Sequence, residues 1–96
     1  MTLHCLYAGL YSRIPQQLMS QAAPGDCVLL LGAATELALE TQSWAEALTG
    51  RGVVVYALDA DLQASGILRP NASVHGIDYA RWVELSVQQR NQRLWR

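Results

Sequence analysis

The sequence predicts an α/β fold: one small domain, residues 1–96, with a mostly parallel sheet of four or five strands and helices on both faces. Three observations carry this. Short apolar runs alternate from end to end with helical segments that open on capping residues. Two of the runs, Cys27 to Leu31 and Val53 to Leu58, are unbroken by charge, as in strands buried on both faces of a parallel sheet. The chain has 96 residues, 51% of them hydrophobic and 16% charged, which fits one compact domain and not two.

The first strand is expected at Leu3–Tyr7, ending before Gly9. Ser12 then caps a helix with Pro15 in its first turn, and Ile14, Leu18, Met19 and Ala22 recur at helical spacing to give one buried face. Pro24-Gly25 stops it. The second strand is Cys27–Leu31. After Gly32 come the helix formers Ala33 to Leu39, then a second helical stretch from Ser43 to Leu48 that closes at Gly50 and Gly52. Ser43 and Glu46 have capping-box spacing.

Val53–Leu58, β-branched and apolar, is the third strand and is expected at the sheet centre. Asp59 is expected to cap a short helix ending at Gly66, and Arg69-Pro70-Asn71-Ala72 reads as a loop into a weaker strand, Ser73–Ile77. Asp78 stands where an N-cap belongs. Trp82, Val83 and Leu85 are expected to face inward along the helix that follows, to about Gln89, and Arg93–Trp95 is expected as a short edge strand.

Composition excludes several functions. A net charge of −1 and a pI near 6.0 supply no large positive field for nucleic acid or anionic membrane. The longest apolar run, Val28 to Leu31, falls far short of the roughly 20 residues that span a bilayer. With no signal-like N-terminus, a cytoplasmic location is expected, and there Cys5 and Cys27 are reduced thiols. All seven basic residues are arginine, and the missing lysine excludes Schiff-base chemistry and a P-loop. No spacing of cysteine and histidine suggests a metal, and no cofactor is expected.

The residues that could carry chemistry are few. A nucleophilic cysteine in an open α/β sheet belongs at a strand's carboxyl end beside a helix N-terminus. Cys5 falls mid-strand and Cys27 near a strand start, so both read as core thiols. His4 adjoins Cys5, but successive strand side chains point to opposite faces, and His75 reads as a filler or solvent-facing residue. Asp59 and Asp61 read as a cap and a first-turn charge. Gly32-Ala33-Ala34 is the one small-residue turn that could admit a phosphate, without a Gly-x-Gly-x-x-Gly pattern. Arg90, Arg93 and Arg96 are spaced as a local basic stripe beside Trp95. No catalytic, cofactor-binding or metal-ligating residue is assigned.

Several stretches resemble the TusB/DsrH family of sulfur-relay subunits. They are Leu3-His4-Cys5-Leu6, Gly25-Asp26-x-Val28-Leu29-Leu30-Leu31, Val55-Tyr56-Ala57-Leu58-Asp59-Ala60-Asp61-Leu62-Gln63-Ala64-Ser65-Gly66, and Ile77-Asp78-Tyr79 with Trp95. The resemblance implies a DsrEFH-like fold and a hetero-oligomer with TusC-like and TusD-like subunits. That complex passes persulfide sulfur toward 2-thiolation of the tRNA wobble uridine, with tRNA contacted only indirectly. It implies an assembly role for this chain, because the acceptor cysteine lies on the TusD-like subunit. The cysteine that DsrH-type members carry in their first helix aligns with Leu18, and the acidic-Gly turn of relatives is replaced by Ala33-Ala34.

Three alternatives stand beside that reading. One is a persulfide carrier using Cys5 or Cys27, another a part in a sulfur-oxidation (Dsr) relay, and the third a small nucleotide-binding module at Gly32. A 96-residue core is thin, sparsely charged and rich in tryptophan. A homo-oligomer of the isolated chain is therefore an open expectation, with Trp44 and Trp95 as the expected interface anchors.

Overall fold

Alternation along the apolar runs decides which side chain goes to which face. The computed structural model describes residues 1–9, 11–39 and 42–96. Its strands are β1 (Thr2–Leu6), β2 (Cys27–Leu30), β3 (Val54–Leu58), β4 (Val74–Ile77) and β5 (Asn91–Trp95). They form one all-parallel sheet in the order β4-β3-β2-β1-β5. The helices are α1 (Ile14–Gln21), a 3₁₀ helix (Gly32–Ala38), α2 (Trp44–Gly50), α3 (Asp59–Ala64) and α4 (Tyr79–Gln88).

Every expected strand forms, the fifth included, but the centre belongs to β2 and not to Val53–Leu58. The chain steps one way across the sheet from β1 to β4. It then returns through α4 to the far side of β1, so β5 is added at the opposite edge and moves the midpoint to β2.

The two faces of the sheet are covered unequally. On one face Leu6, Val28, Leu30, Val55 and Ala57 pack beneath Leu18, Ala34, Leu37, Leu48 and Leu62, drawn from α1, the 3₁₀ helix, α2 and α3. On the other, Leu3, Cys5, Cys27, Leu29 and Leu58 meet Leu85 of α4, with Trp82 partly buried beside it. Among the described residues α4 is the only helix on that side, and no helix is long and apolar enough to cross a membrane.

Several local expectations change in the fold. Asp78 accepts the Arg81 N–H at 2.8 Å as the N-cap of α4, whereas Ser12 lies one residue before the N-cap position of α1, Arg13, and its Oγ accepts the Ile14 N–H at 3.1 Å. Ser43 makes no such bond: its backbone is helical (φ −91°, ψ −2°) where a capping residue is extended, and the Glu46 carboxylate accepts from Asn71 Nδ2 at 2.9 Å instead of completing a capping box. Asp59 lies inside α3, one residue after the cap position, and makes no capping bond. Val83 is 64% exposed. With Leu85 and Trp82 turned to the sheet, the 100° step per residue carries Val83 to the outer side.

Candidate functional site

Ligands of open parallel sheets bind at the carboxyl ends of the strands. Here that edge is built from the turn after β2 and the start of α3. Gly32 adopts φ = 53°, which lets the chain turn straight from β2 into the 3₁₀ helix. Its N–H donates to Asp61 Oδ2 at 2.9 Å. Thr35 Oγ1 donates to the Gly32 carbonyl at 2.7 Å and lies 3.0 Å from Ser65 Oγ. Asp61 therefore occupies the place a phosphate would need, which removes the support for a nucleotide at Gly32-Ala33-Ala34. A shallow cavity of about 450 Å³ opens nearby, lined by Tyr11, Glu36, Leu39, Ser65 and Ile67. Its charged wall is an exposed carboxylate, unfavourable to an anion.

Both cysteines are on the opposite face of the sheet from the 3₁₀ helix. Cys5, expected mid-strand, is the last residue but one of β1, because that strand runs Thr2–Leu6 and not Leu3–Tyr7; Cys27 opens β2, and both are buried on the α4 face. Burial pushes both thiols above the usual cysteine range. For Cys5 the Trp82 side chain offsets part of that. For Cys27 the Asp26 charge adds to it and Arg81 opposes it. Gln89 Nε2 donates to Cys27 Sγ at 3.6 Å. In register Leu3 faces Cys27, so Cys5 is two residues further along the neighbouring strand. Strand spacing and rise make that diagonal about 8 Å, beyond disulfide reach. Leu18, on the inner side of α1, is fully buried.

A buried polar group joins β1, β5 and the residue before β2, and sequence reasoning missed it. His4 Nε2 is 2.9 Å from Asp26 Oδ2, and Trp95 Nε1–H donates to His4 Nδ1 at 3.0 Å. An indole is a donor only, so Nδ1 carries no proton and Nε2–H donates to Asp26. Asp26 also accepts the N–H groups of Thr2 and Ala23, each at 3.0 Å. Burial pushes the Asp26 carboxyl up, but His4 and these two N–H groups outweigh it and hold it below the usual range. The pair resembles half of a hydrolytic triad, yet the lone pair a general base needs is bonded to Trp95 and out of solvent. The signal for it was an aspartate placed directly before a buried strand.

The remaining candidates disperse. His75 is exposed, its ring 6.0 Å from that of Tyr56. Arg93 bonds Gln21 and lies 4.1 Å over the Trp95 ring, whereas Arg96 lies 5.8 Å from the Tyr7 ring. Trp95 packs with one core cluster and Tyr7 with the other, so the expected basic stripe is split across two faces by strand alternation. Trp44 and Trp95 are 8% and 6% exposed, and their indole N–H groups bond Pro15 O and His4 Nδ1. Both pack within their own chain, which overturns their expected role as interface anchors.

The chain matches the model of the DsrH like protein family over residues 11–92. It is 36% identical over 72 residues to Protein TusB of Salmonella arizonae, covering 74% of this chain and 76% of that protein. Protein TusB of Salmonella newport matches with the same identity and coverage. The crystal structure of the ychN protein from E. coli has the same fold, with a TM-score of 0.79 over 98% of this chain and 97% of that one at 13% identity.

Proposed function

The chain belongs to the DsrH-like family, and on that footing we propose that it is a non-catalytic assembly subunit of a cytoplasmic sulfur relay. Its partners are TusC-like and TusD-like subunits, and the relay serves 2-thiolation of the tRNA wobble uridine. What supports the assembly role is the position of the two thiols. Each is buried beneath α4, on the sheet face opposite the 3₁₀ helix that follows β2, with its thiol form favoured over the thiolate that sulfur transfer needs. Leu18 offers no sulfur in their place.

The test is a relay reconstituted from this chain, its partner subunits and a cysteine desulfurase. Mass spectrometry should find no persulfide on this chain. The Cys5→Ser/Cys27→Ser variant, still folded and assembled, should support tRNA thiolation at close to the parental rate. A persulfide on either cysteine, together with loss of thiolation in the double variant, would establish a carrier instead.

A further inference from the structure

We propose that His4 is a protonation latch on the C-terminal edge strand: the neutral ring holds β5 to β1 through Trp95, and protonation of the ring releases β5 while β1 to β4 stay paired. The inference stands apart from the relay reading, since it concerns only how this chain is held together.

β5 buries fewer side chains than any other strand of the sheet. It lies at an edge, pairs only with β1, and exposes Asn91, Gln92, Arg93 and Leu94, so Trp95 is its one buried side chain. The other side-chain bonds that tie it down are in solvent: Gln92 Nε2 donates to the Ser86 carbonyl at 3.0 Å, and Arg93 bonds Gln21. Only the bond from Trp95 Nε1–H to His4 Nδ1, at 3.0 Å, is buried. An edge strand with so few buried contacts belongs to the part of a fold that opens locally before the rest.

The geometry directs an added proton to one atom. His4 Nε2–H already donates to Asp26 Oδ2, so Nδ1 is the ring's remaining acceptor, and it is the atom that receives the Trp95 indole N–H. An imidazolium donates from both nitrogens and an indole only donates, so protonation sets two N–H groups against each other in a buried site. Asp26 keeps its bond to Nε2 in either state. Although burial raises the Asp26 carboxyl, its bonds with His4, Ala23 and Thr2 hold it below the usual range, so it remains an anion and steadies the imidazolium. The cost therefore falls on Trp95. The other charges around the site are cations: the Met1 amine beside Thr2, Arg51 bonded to the Met19 and Ala22 carbonyls, and Arg93 over the Trp95 ring. The overlying α1 brings no titratable side chain. Arg93 is also the register partner of His4, so a second cation on β1 repels β5 directly.

Amide hydrogen exchange of the full chain, followed by nuclear magnetic resonance between about pH 8 and pH 5 and corrected for the intrinsic rate at each pH, reads the opening of each strand. On acidification the protection of β5 should fall at least about tenfold relative to that of β2, with the Trp95 indole N–H signal moving in step. His4→Gln, which does not titrate in this range, should leave β5 protection independent of pH. Trp95→Phe keeps an aromatic ring without the N–H and should show a smaller change than the parent, both variants being checked for the parental fold by circular dichroism. Protection of β5 that is flat with pH in the parent would overturn the proposal, as would a fall shared equally by β2. So would a pH dependence that survives undiminished in His4→Gln or in Trp95→Phe.

Discussion

The two faces of the sheet were built from the same alternating strands, and they end in different states. The face under α1, the 3₁₀ helix, α2 and α3 is closed: Leu18, Leu48, Val28, Leu30 and Val55 are wholly buried. The face under α4 holds both cysteines and one wholly buried helix side chain, Leu85, with half-buried aromatics at its margin. Coverage is a matter of crossovers. Connections that step in one direction place their helices on one side, and only the return from β4 to β5 supplies a helix to the other. Most of the burial that holds the fold together therefore lies on the first face, and the exposed apolar surface lies on the second.

Substitutions sharpen this contrast in order of size. Leu48→Ala on the closed face should cost about 3 kcal/mol, read from the urea midpoint at unchanged m-value, because the surrounding helices cannot collapse onto the cavity. A loss below about 1 kcal/mol would mean that the closed face is not tightly packed. His4→Ala should cost about 2–3 kcal/mol, since it leaves the Trp95 indole N–H without its acceptor and takes from Asp26 one of its three donors. A nuclear magnetic resonance spectrum should show the Trp95 indole N–H moving most among the three tryptophans.

The pH dependence follows from Asp26. Its folded pKa is below its unfolded value, so its contribution is complete above the ordinary aspartate range and is lost as pH falls through the folded value. Urea midpoints should drop along that acid limb, and Asp26→Asn should be less stable at neutral pH with a flatter limb. An identical slope in the variant would place the acid sensitivity elsewhere.

On the α4 face Cys5→Ser and Cys27→Ser should each cost about 1–2 kcal/mol, from a hydroxyl set among apolar neighbours. Cys27→Ser should be the milder, because Gln89 already donates to that position. The smallest effect belongs to Val83→Ala, within about 0.5 kcal/mol for the monomer, as for exposed positions generally. A cost near that of Leu48→Ala would show that α4 is buried on both sides in the isolated chain.

Much of this was legible in local pattern. The unbroken runs at Cys27 and Val53 announced buried parallel strands, and Asp78 announced the start of α4 through its carboxylate three residues before the Arg81 N–H. Cys27 could be placed at a strand start from its position, whereas Cys5 falls one residue before the end of β1 because the strand begins and ends one residue early. Other features depend on contacts that sequence distance conceals. The Asp26–His4–Trp95 group joins residues 22 and 91 positions apart, and Glu46 bonds an asparagine 25 positions away instead of completing a capping box with Ser43. Trp44 and Trp95 fell outside the strongest core patterns, yet found buried acceptors at Pro15 and His4.

The sequence by itself determined the elements, their order and the parallel sheet. Those follow from periodicity, capping and turn chemistry, all of which act over a few residues. Tertiary structure alone decided which face each element covers, and hence that Asp61 occupies the turn a ligand would use, that both indoles are internal, and that the outer side of α4 stays open. These outcomes depend on where the chain crosses over and returns, a choice made by the packing of distant segments against one another.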